Sequence, residues 1–405
     1  MRQALKKLFL SIALGISACT FEAIVQTPGP ETSLPSLGSS SATSQPTEIL
    51  PTPYPDTPSP AEIDAPLIES PALVEIQFFN ELEGWAVAET QVARTNDGGL
   101  TWYDVTPPDM AATEYSLEIF FLNKDHAWVQ KPDFENFPNS GFLTRTSDGG
   151  LTWRTSTTPF SDGEIRFLDE DNGWMLADLG VGAGSNAVAV YQTTNGGSQW
   201  ELKYINDPNH PDAKDSLPLG GLKNGIIPLN MQTAWVGGIT YSPGTLYLYR
   251  SDDAGSNWSQ VALELPPGAE NSELSIDADQ MRFLTANDGF LAVNMAGDST
   301  ETAIYVTHDA GDTWALTPTL IPNGSTSDFL TVDEAVVYNG EQFYVTRDTA
   351  RTWSIIPPDI TFGESFFGMD FANISSGWVI TVDSENHHAL YRTNDGGATW
   401  SPILP

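Results

Sequence analysis

The sequence predicts an all-β fold, a seven-bladed β-propeller, and three observations carry that expectation. The pattern Ser/Thr-x-Asp-x-Gly-x-x-Trp recurs seven times between Thr95 and Trp400, five times in full and twice with one change, Asn195 for Asp and Ala350 for Gly. Its copies are spaced by 39 to 58 residues, a period that signals a propeller or a solenoid. A second pattern precedes every copy at fixed internal spacing, and no convincing amphipathic helix interrupts the series. Units of this length exceed the coil of most β-solenoids, which favours a closed ring of four-stranded units.

The repeated turn comes first. Its central positions are Asp97, Asp148, Asn195, Asp253, Asp309, Asp348 and Asp395, each five residues before a Trp. A run such as Asn96-Asp97-Gly98-Gly99 supplies residues that tolerate positive φ, and the Asp carboxylate accepts backbone N–H bonds within the turn. The Trp then opens the next strand and buries its ring. These seven positions are therefore expected to be structural rather than ligand-binding.

The second pattern is a short apolar strand, a turn and Gly-Trp, as in Phe78-Phe79-Asn80 leading to Gly84-Trp85 and Phe371-Ala372-Asn373 leading to Gly377-Trp378. Phe283 to Phe290 and Phe329 to Val336 are weaker forms. The two patterns together use all twelve tryptophans, so none is left for a dedicated sugar-stacking platform. Only Ser401 to Pro405 follow the last turn; this tail is expected to finish the seventh unit, with the strand around Leu73 to Ile76 available to help.

Three domains are expected. Residues 1–18 read as a secretion signal, with Arg2, Lys6 and Lys7 ahead of the apolar run Leu8 to Ile16, too short for a stable membrane span. Ile16-Ser17-Ala18-Cys19 resembles the bacterial lipobox, and Cys19 is the one Cys in the chain, so it is the expected lipidation site and an internal disulfide is excluded. Residues 19–72 form a Pro/Ser/Thr-rich linker expected to be disordered; eleven of the 29 prolines fall between Gln26 and Pro71. Residues 73–405 form the propeller. The chain is thus expected outside the cytoplasm, anchored to the bacterial membrane by lipid alone, and monomeric.

Charge and composition limit the function. A formal net charge of −36 argues against phosphate neutralisation on nucleic acid and against docking on anionic lipid. The five histidines form no zinc spacing, and Asp169-Glu170-Asp171-Asn172-Gly173 lacks the downstream Glu of a calcium loop, so no metal or other cofactor is expected. Neither a nucleophile elbow nor a phosphate loop is present. Two carboxylates brought together in space remain open to the sequence, because their separation defines that chemistry.

The repeated turns resemble the Asp-box, or BNR, repeats of sialidases, xyloglucanases, sortilin-type receptors and photosystem II assembly factors. Combined with Phe-x-Asn/Asp-x3-Gly-Trp, the pattern over residues 74 to 403 looks most like the photosystem II assembly/stability factor family and its non-photosynthetic bacterial relatives. A sialidase is disfavoured: there is no Arg-Ile-Pro, and most of the ten arginines flank or lie within the repeated turns, leaving little material for a three-arginine clamp. The assembly-factor resemblance implies a protein without catalysis that holds a partner membrane protein through an arginine-rich patch. Arg94, Arg145, Arg250 and Arg392 share one repeat position and are the candidates; the other reading is that each pairs with acids on its own blade. The stronger acidity, the linker and the insertions Lys203 to Ile227 and Val261 to Gln280 depart from that family and point to a general envelope scaffold. Binding is expected at the longer loops, including Gln130 to Gly141 with Phe134 and Phe137, and the insertion around His210. The alternative is a glycoside hydrolase or lectin acting on surface polysaccharide.

Overall fold

The computed structural model describes residues 63–403 except 90, 109, 111–116 and 325; the signal sequence, Cys19 and most of the linker lie outside them. The described residues are all-β apart from three short 3₁₀ turns. They form five four-stranded antiparallel sheets and one of nine strands. The nine-stranded sheet holds two further four-stranded meanders, joined through the strand Glu273–Ser275 of the second insertion. Along the chain the first strands of the successive meanders are Leu73–Phe78, Glu118–Phe121, Gly163–Phe167, Leu222–Pro228, Met281–Phe283, Thr326–Phe329 and Phe366–Phe371.

Each meander owes its outer hairpin to the repeated turn. In the first, Oδ1 of Asp97 accepts the Thr101 N–H (2.9 Å) and the Thr95 hydroxyl (2.9 Å), and Oδ2 accepts the Thr101 hydroxyl (2.5 Å). The Thr95 hydroxyl in turn accepts the Gly99 N–H at 3.0 Å. The same bonds to the central carboxylate recur at Asp148, Asp309, Asp348 and Asp395. Asn195 keeps the backbone bond, from Gln199 at 2.9 Å, with its one amide oxygen. Gly149 adopts φ +73°, as Ala254, Ala310 and Thr349 adopt φ of +59° to +61° at the same place in other turns, and a Cβ on it would fall 1.7 Å from Nη1 of Arg94, so the guanidinium would have to shift.

Burial alone would raise the Asp148 carboxyl, but hydrogen bonds from Thr152 and Thr146 hold it below the usual range. Its contribution to stability is therefore present above the ordinary Asp pKa and is lost as pH falls through the depressed value. Asp148→Ala is expected to cost about 1–3 kcal/mol by stranding these donors. Asp148→Asn is expected to cost less, because Asn195 already serves in the third turn. Urea unfolding of the two variants measures the difference, and equal losses would contradict this role.

Neighbouring sheets are riveted by the second pattern. The Trp of one sheet stacks on the Phe that ends the first strand of the next: Trp85 on Phe121 (5.2 Å between ring centroids), Trp128 on Phe167 (3.8 Å), and Trp235 against Phe283 (4.8 Å). Phe290 replaces Trp and stacks on Phe329 at 4.9 Å. The last sheet repeats the device on the first, with Trp378 and Phe78 centroids 3.6 Å apart and the rings 4° from parallel. Nε1 of Trp378 also donates to Gly98 O at 3.0 Å. One apolar cluster joins Leu73, Ile76 and Phe78 to Trp378, Ile380 and Leu390, so the succession of sheets closes on itself.

Two expectations are corrected. Ser401–Ile403 is the fourth strand of the last sheet, whereas Leu73–Phe78 belongs wholly to the first sheet; closure uses side chains and no shared strand. The folded part also begins earlier than composition suggests. Leu67 bridges Tyr103, Ile68 N donates to Trp102 O (2.8 Å), and Asp104 N donates to Pro66 O (2.7 Å). The outer strand Tyr103–Asp104 is only two residues long and leaves an edge to which this prolyl segment adds.

Candidate functional site

The first strands bring charged side chains from separate sheets together. Arg166 is the hub. Its Nη2 lies 2.6 Å from Oε1 of Glu164 and 2.9 Å from Oδ1 of Asp279, and its Nη1 lies 3.8 Å from Oε1 of Glu118. Nη1 also donates to Ile165 O at 3.1 Å, and the guanidinium stands 5.7 Å from the Phe120 ring centre. Burial opposes this charge, but the surrounding Glu164, Asp279, Glu118 and Glu75 outweigh it and raise the pKa further. Asp279 arrives on the 3₁₀ turn Ala278–Gln280 of the second insertion, which is also tied down by the Asn224 amide donating to Asp277 at 2.8 Å.

Asp370 and Asp328 secure one sheet to the next. Oδ2 of Asp370 accepts the Phe78 N–H at 2.6 Å, across the closure, and Oδ2 of Asp328 accepts the Phe371 N–H at 2.7 Å. Oδ1 of Asp328 lies 3.6 Å from Arg282. Burial raises the carboxyls of both; for Asp370 the charge of Asp328 adds to it. Glu75 is pushed up to about 7 by burial and then by Asp279, with Arg166 pulling the other way. Chemically the centre could supply a protonated acid, but the carboxylates of Asp328, Asp370, Glu164 and Asp279 are engaged with cations or backbone.

The four arginines of one repeat position lie on four different sheets, each at the second strand from the outside, next to a turn of the following sheet. Arg94 reaches Gly149 O (3.5 Å) and Asp125 (3.9 Å). Arg145 donates to Asn195 O (3.3 Å) and Gly196 O (3.2 Å). Arg250 binds Asp252 (2.9 Å) and Asp312 (2.6 Å) over the Trp235 ring, and Arg392 lies 5.1 Å over the Trp378 ring. For Arg94, Arg145 and Arg250 the partners include groups of the adjacent sheet, a link the sequence reading missed. A cavity of about 300 Å³ adjoins Arg145, lined also by His126, Arg154 and Glu170, with His126 Nε2 and Glu170 Oε2 3.1 Å apart.

Of the loop residues, Phe134 and Phe137 are half exposed, and His210 is held locally, its Nδ1 accepting the Asp212 N–H at 3.2 Å. Among the described residues no group of three His, Cys, Asp or Glu is placed to hold a metal ion, and no helix is long and apolar enough to cross a membrane.

No protein-family model matches the chain. It is 22% identical over 276 residues, 60% of this chain and 75% of the other, to a photosystem II assembly lipoprotein, Ycf48, of Synechococcus sp. (strain CC9902). It is 24% identical over 287 residues to a xyloglucanase of Paenibacillus sp., covering 65% of this chain and 24% of the enzyme. The chain thus spans about a quarter of that xyloglucanase. Among solved structures, a GH74 xyloglucanase of Xanthomonas campestris superposes with a TM-score of 0.54 at 12% identity, covering 83% of this chain and 55% of that one. The fold is of the propeller type found in these proteins.

Proposed function

We propose that the chain is a seven-bladed Asp-box propeller, anchored by lipid at Cys19 outside the cytoplasm, that holds another envelope macromolecule without performing chemistry on it. Seven four-stranded meanders, each containing one repeated turn, support the blade count. One observation carries the function. The central carboxylates bind across sheets, Asp370 to Phe78 N–H and Asp328 to Phe371 N–H, while Glu164 and Asp279 converge on Arg166. A hydrolase needs two carboxylates facing a substrate-wide gap, one to protonate the leaving oxygen and one to attack or to activate water. Here Asp370 and Asp328 are spent on joining sheets, and Glu164 and Asp279 on neutralising Arg166.

The lipoprotein relative, matched over three quarters of its length, supports an assembly role more broadly than the enzyme matched over a quarter. The partner in this reading is an envelope or membrane protein. A partner surface on Arg94, Arg145, Arg250 and Arg392 would use whatever donors their inter-blade bonds leave over.

The test is affinity capture from native membranes, with mild crosslinking and mass spectrometry, using tagged full-length chain beside Cys19→Ala. One membrane protein recovered at near-equal stoichiometry, and lost with Cys19→Ala, is the expected result. Recovery of polysaccharide with no enriched protein would overturn this reading in favour of a glycan-directed protein.

A further inference from the structure

The two ends of the ring of sheets differ in charge. The loops joining second to third strands include Glu89 and residues 133–140, 183–184, 241–246, 297–299, 339–342 and 383–387. They contain seven acids and no Lys or Arg. These loops share one end of the ring: Asn386 donates to Glu89 at 3.5 Å, and a side chain at Gly184 would meet the Tyr241 ring at 3.1 Å. The opposite end, with the repeated turns, carries Arg94, Arg145, Arg154, Arg250 and Arg392 beside its acids.

Both ends expose apolar side chains, Leu82, Leu100 and Leu151 at the end with the repeated turns, but only at the cation-free loops do they stand without arginines beside them. Val181 is 66% exposed, Tyr241 60%, Phe134 52% and Phe137 51%. Val181 sits near the tip of the long hairpin Gly173–Gly182 and Ser185–Thr193, which Gly221 N buttresses by donating to Gly184 O at 3.0 Å. Two cations border these loops: Lys131, 5.7 Å over the Phe142 ring at the base of the Phe134–Phe137 loop, and Lys223, whose ammonium turns inward. Lys223 is buried, with Nζ donating to Leu219 O (2.7 Å), Asn186 O (2.9 Å) and Gly221 O (3.2 Å). Glu135 stands in the Phe134–Phe137 loop, and Glu270 packs against Gly244 of the Tyr241 loop, so exposed acids flank the apolar side chains on both sides.

Exposed apolar side chains grouped on one face mark an interaction surface, and the sign of the rim selects what docks there. A second copy would bring the same negative loops against these. Anionic lipid and nucleic acid are repelled for the same reason. We infer that this end receives a basic protein segment in which Lys or Arg alternates with aliphatic or aromatic residues. The inference rests on the binding-propeller reading and adds the chemistry of its partner.

Fluorescence anisotropy of full-length chain with a labelled peptide alternating Lys and Leu tests it, beside a Lys/Ser and a Glu/Leu peptide. The Lys/Leu peptide is expected to bind most tightly. Val181→Ser with Tyr241→Ser should weaken it about tenfold, as should Glu135→Lys with Glu270→Lys. The control is Asp171→Lys with Glu201→Lys, which makes the same net-charge change at the opposite end and should leave binding within about twofold. Equal loss in the control, or equal binding of the Lys/Ser peptide, would overturn the inference by reducing the effect to diffuse charge. Binding to anionic vesicles, or self-association lost in the loop variants, would overturn it in favour of those occupants. Should the peptide fail while membrane capture still succeeds, docking lies on another face and the scaffold reading stands.

Discussion

Trp378→Ala is expected to lower the unfolding free energy by about 3–5 kcal/mol, the range for removing a large buried aromatic. Trp378 is fully buried, stacks on Phe78 at 3.6 Å and gives its N–H to Gly98. All these contacts join the last sheet to the first, across about 280 residues of sequence. The void left by the indole would open in the cluster that also holds Leu73, Ile76, Ile380 and Leu390. Trp378→Phe keeps a ring on Phe78 and gives up the hydrogen bond, so a loss nearer 1 kcal/mol is expected. Urea unfolding of both variants checks the order. A Trp378→Ala protein within about 1 kcal/mol of the parent would show that closure does not depend on this ring.

Asp370 is expected to respond in opposite directions to two substitutions. Asp370→Ala strands the Phe78 N–H at the closure and should cost about 1–3 kcal/mol. Asp370→Asn keeps an acceptor for that N–H and removes the charge facing Asp328, so it should raise Tm at pH 8 by a few degrees. The sign follows from linkage. Burial and Asp328 raise the folded-state pKa of Asp370, so the folded chain binds the proton more tightly than the unfolded chain. That contribution is complete below the ordinary Asp pKa and is lost as pH rises through the folded value. Glu75 acts in the same sense between the ordinary Glu range and its own value of about 7, and Glu75→Gln should flatten the decline of Tm over that interval. The repeated turns act oppositely at lower pH, where carboxyls such as Asp148 and Asp395 lose their bonds on protonation. A Tm that climbs steadily from pH 5 to pH 8, or Asp370→Asn behaving like Asp370→Ala, would contradict this assignment.

Most of the fold was legible because its determinants are local. The Asp, its Thr or Ser two residues before and the Gly after it make a turn from neighbouring residues, and their spacing is written in the chain. Trp85, Trp128 and Trp378 were legible as framework residues, but the use of their rings was not. Each stacks on the Phe of a following sheet, and for Trp378 that sheet is nearly 300 residues earlier. The central acids were invisible for a related reason. Glu75, Glu118, Glu164, Asp328 and Asp370 sit in the short first strands that end in the motif Phe, but the motif does not fix the residue type at their positions, and only the ring places them together. One signal was available: past the signal sequence, Arg166 and Arg282 are the two arginines that neither flank nor lie within a repeated turn, and both face carboxylates from other strands at the centre. For Arg94, Arg145 and Arg250, pairing on the same blade was the simpler expectation; the bonds to the next sheet depend on the stagger between sheets, which no local pattern encodes.

The most direct measurement is hydrolysis of xyloglucan and a panel of other glycans by the full-length chain, read as new reducing ends, beside Glu75→Gln and Asp370→Asn. If the central carboxylates serve only to join blades, no substrate is turned over above the blank, and the two variants differ from the parent in stability alone. Turnover by the parent that disappears in either variant would show that a central acid works on substrate, and the chain would be an enzyme.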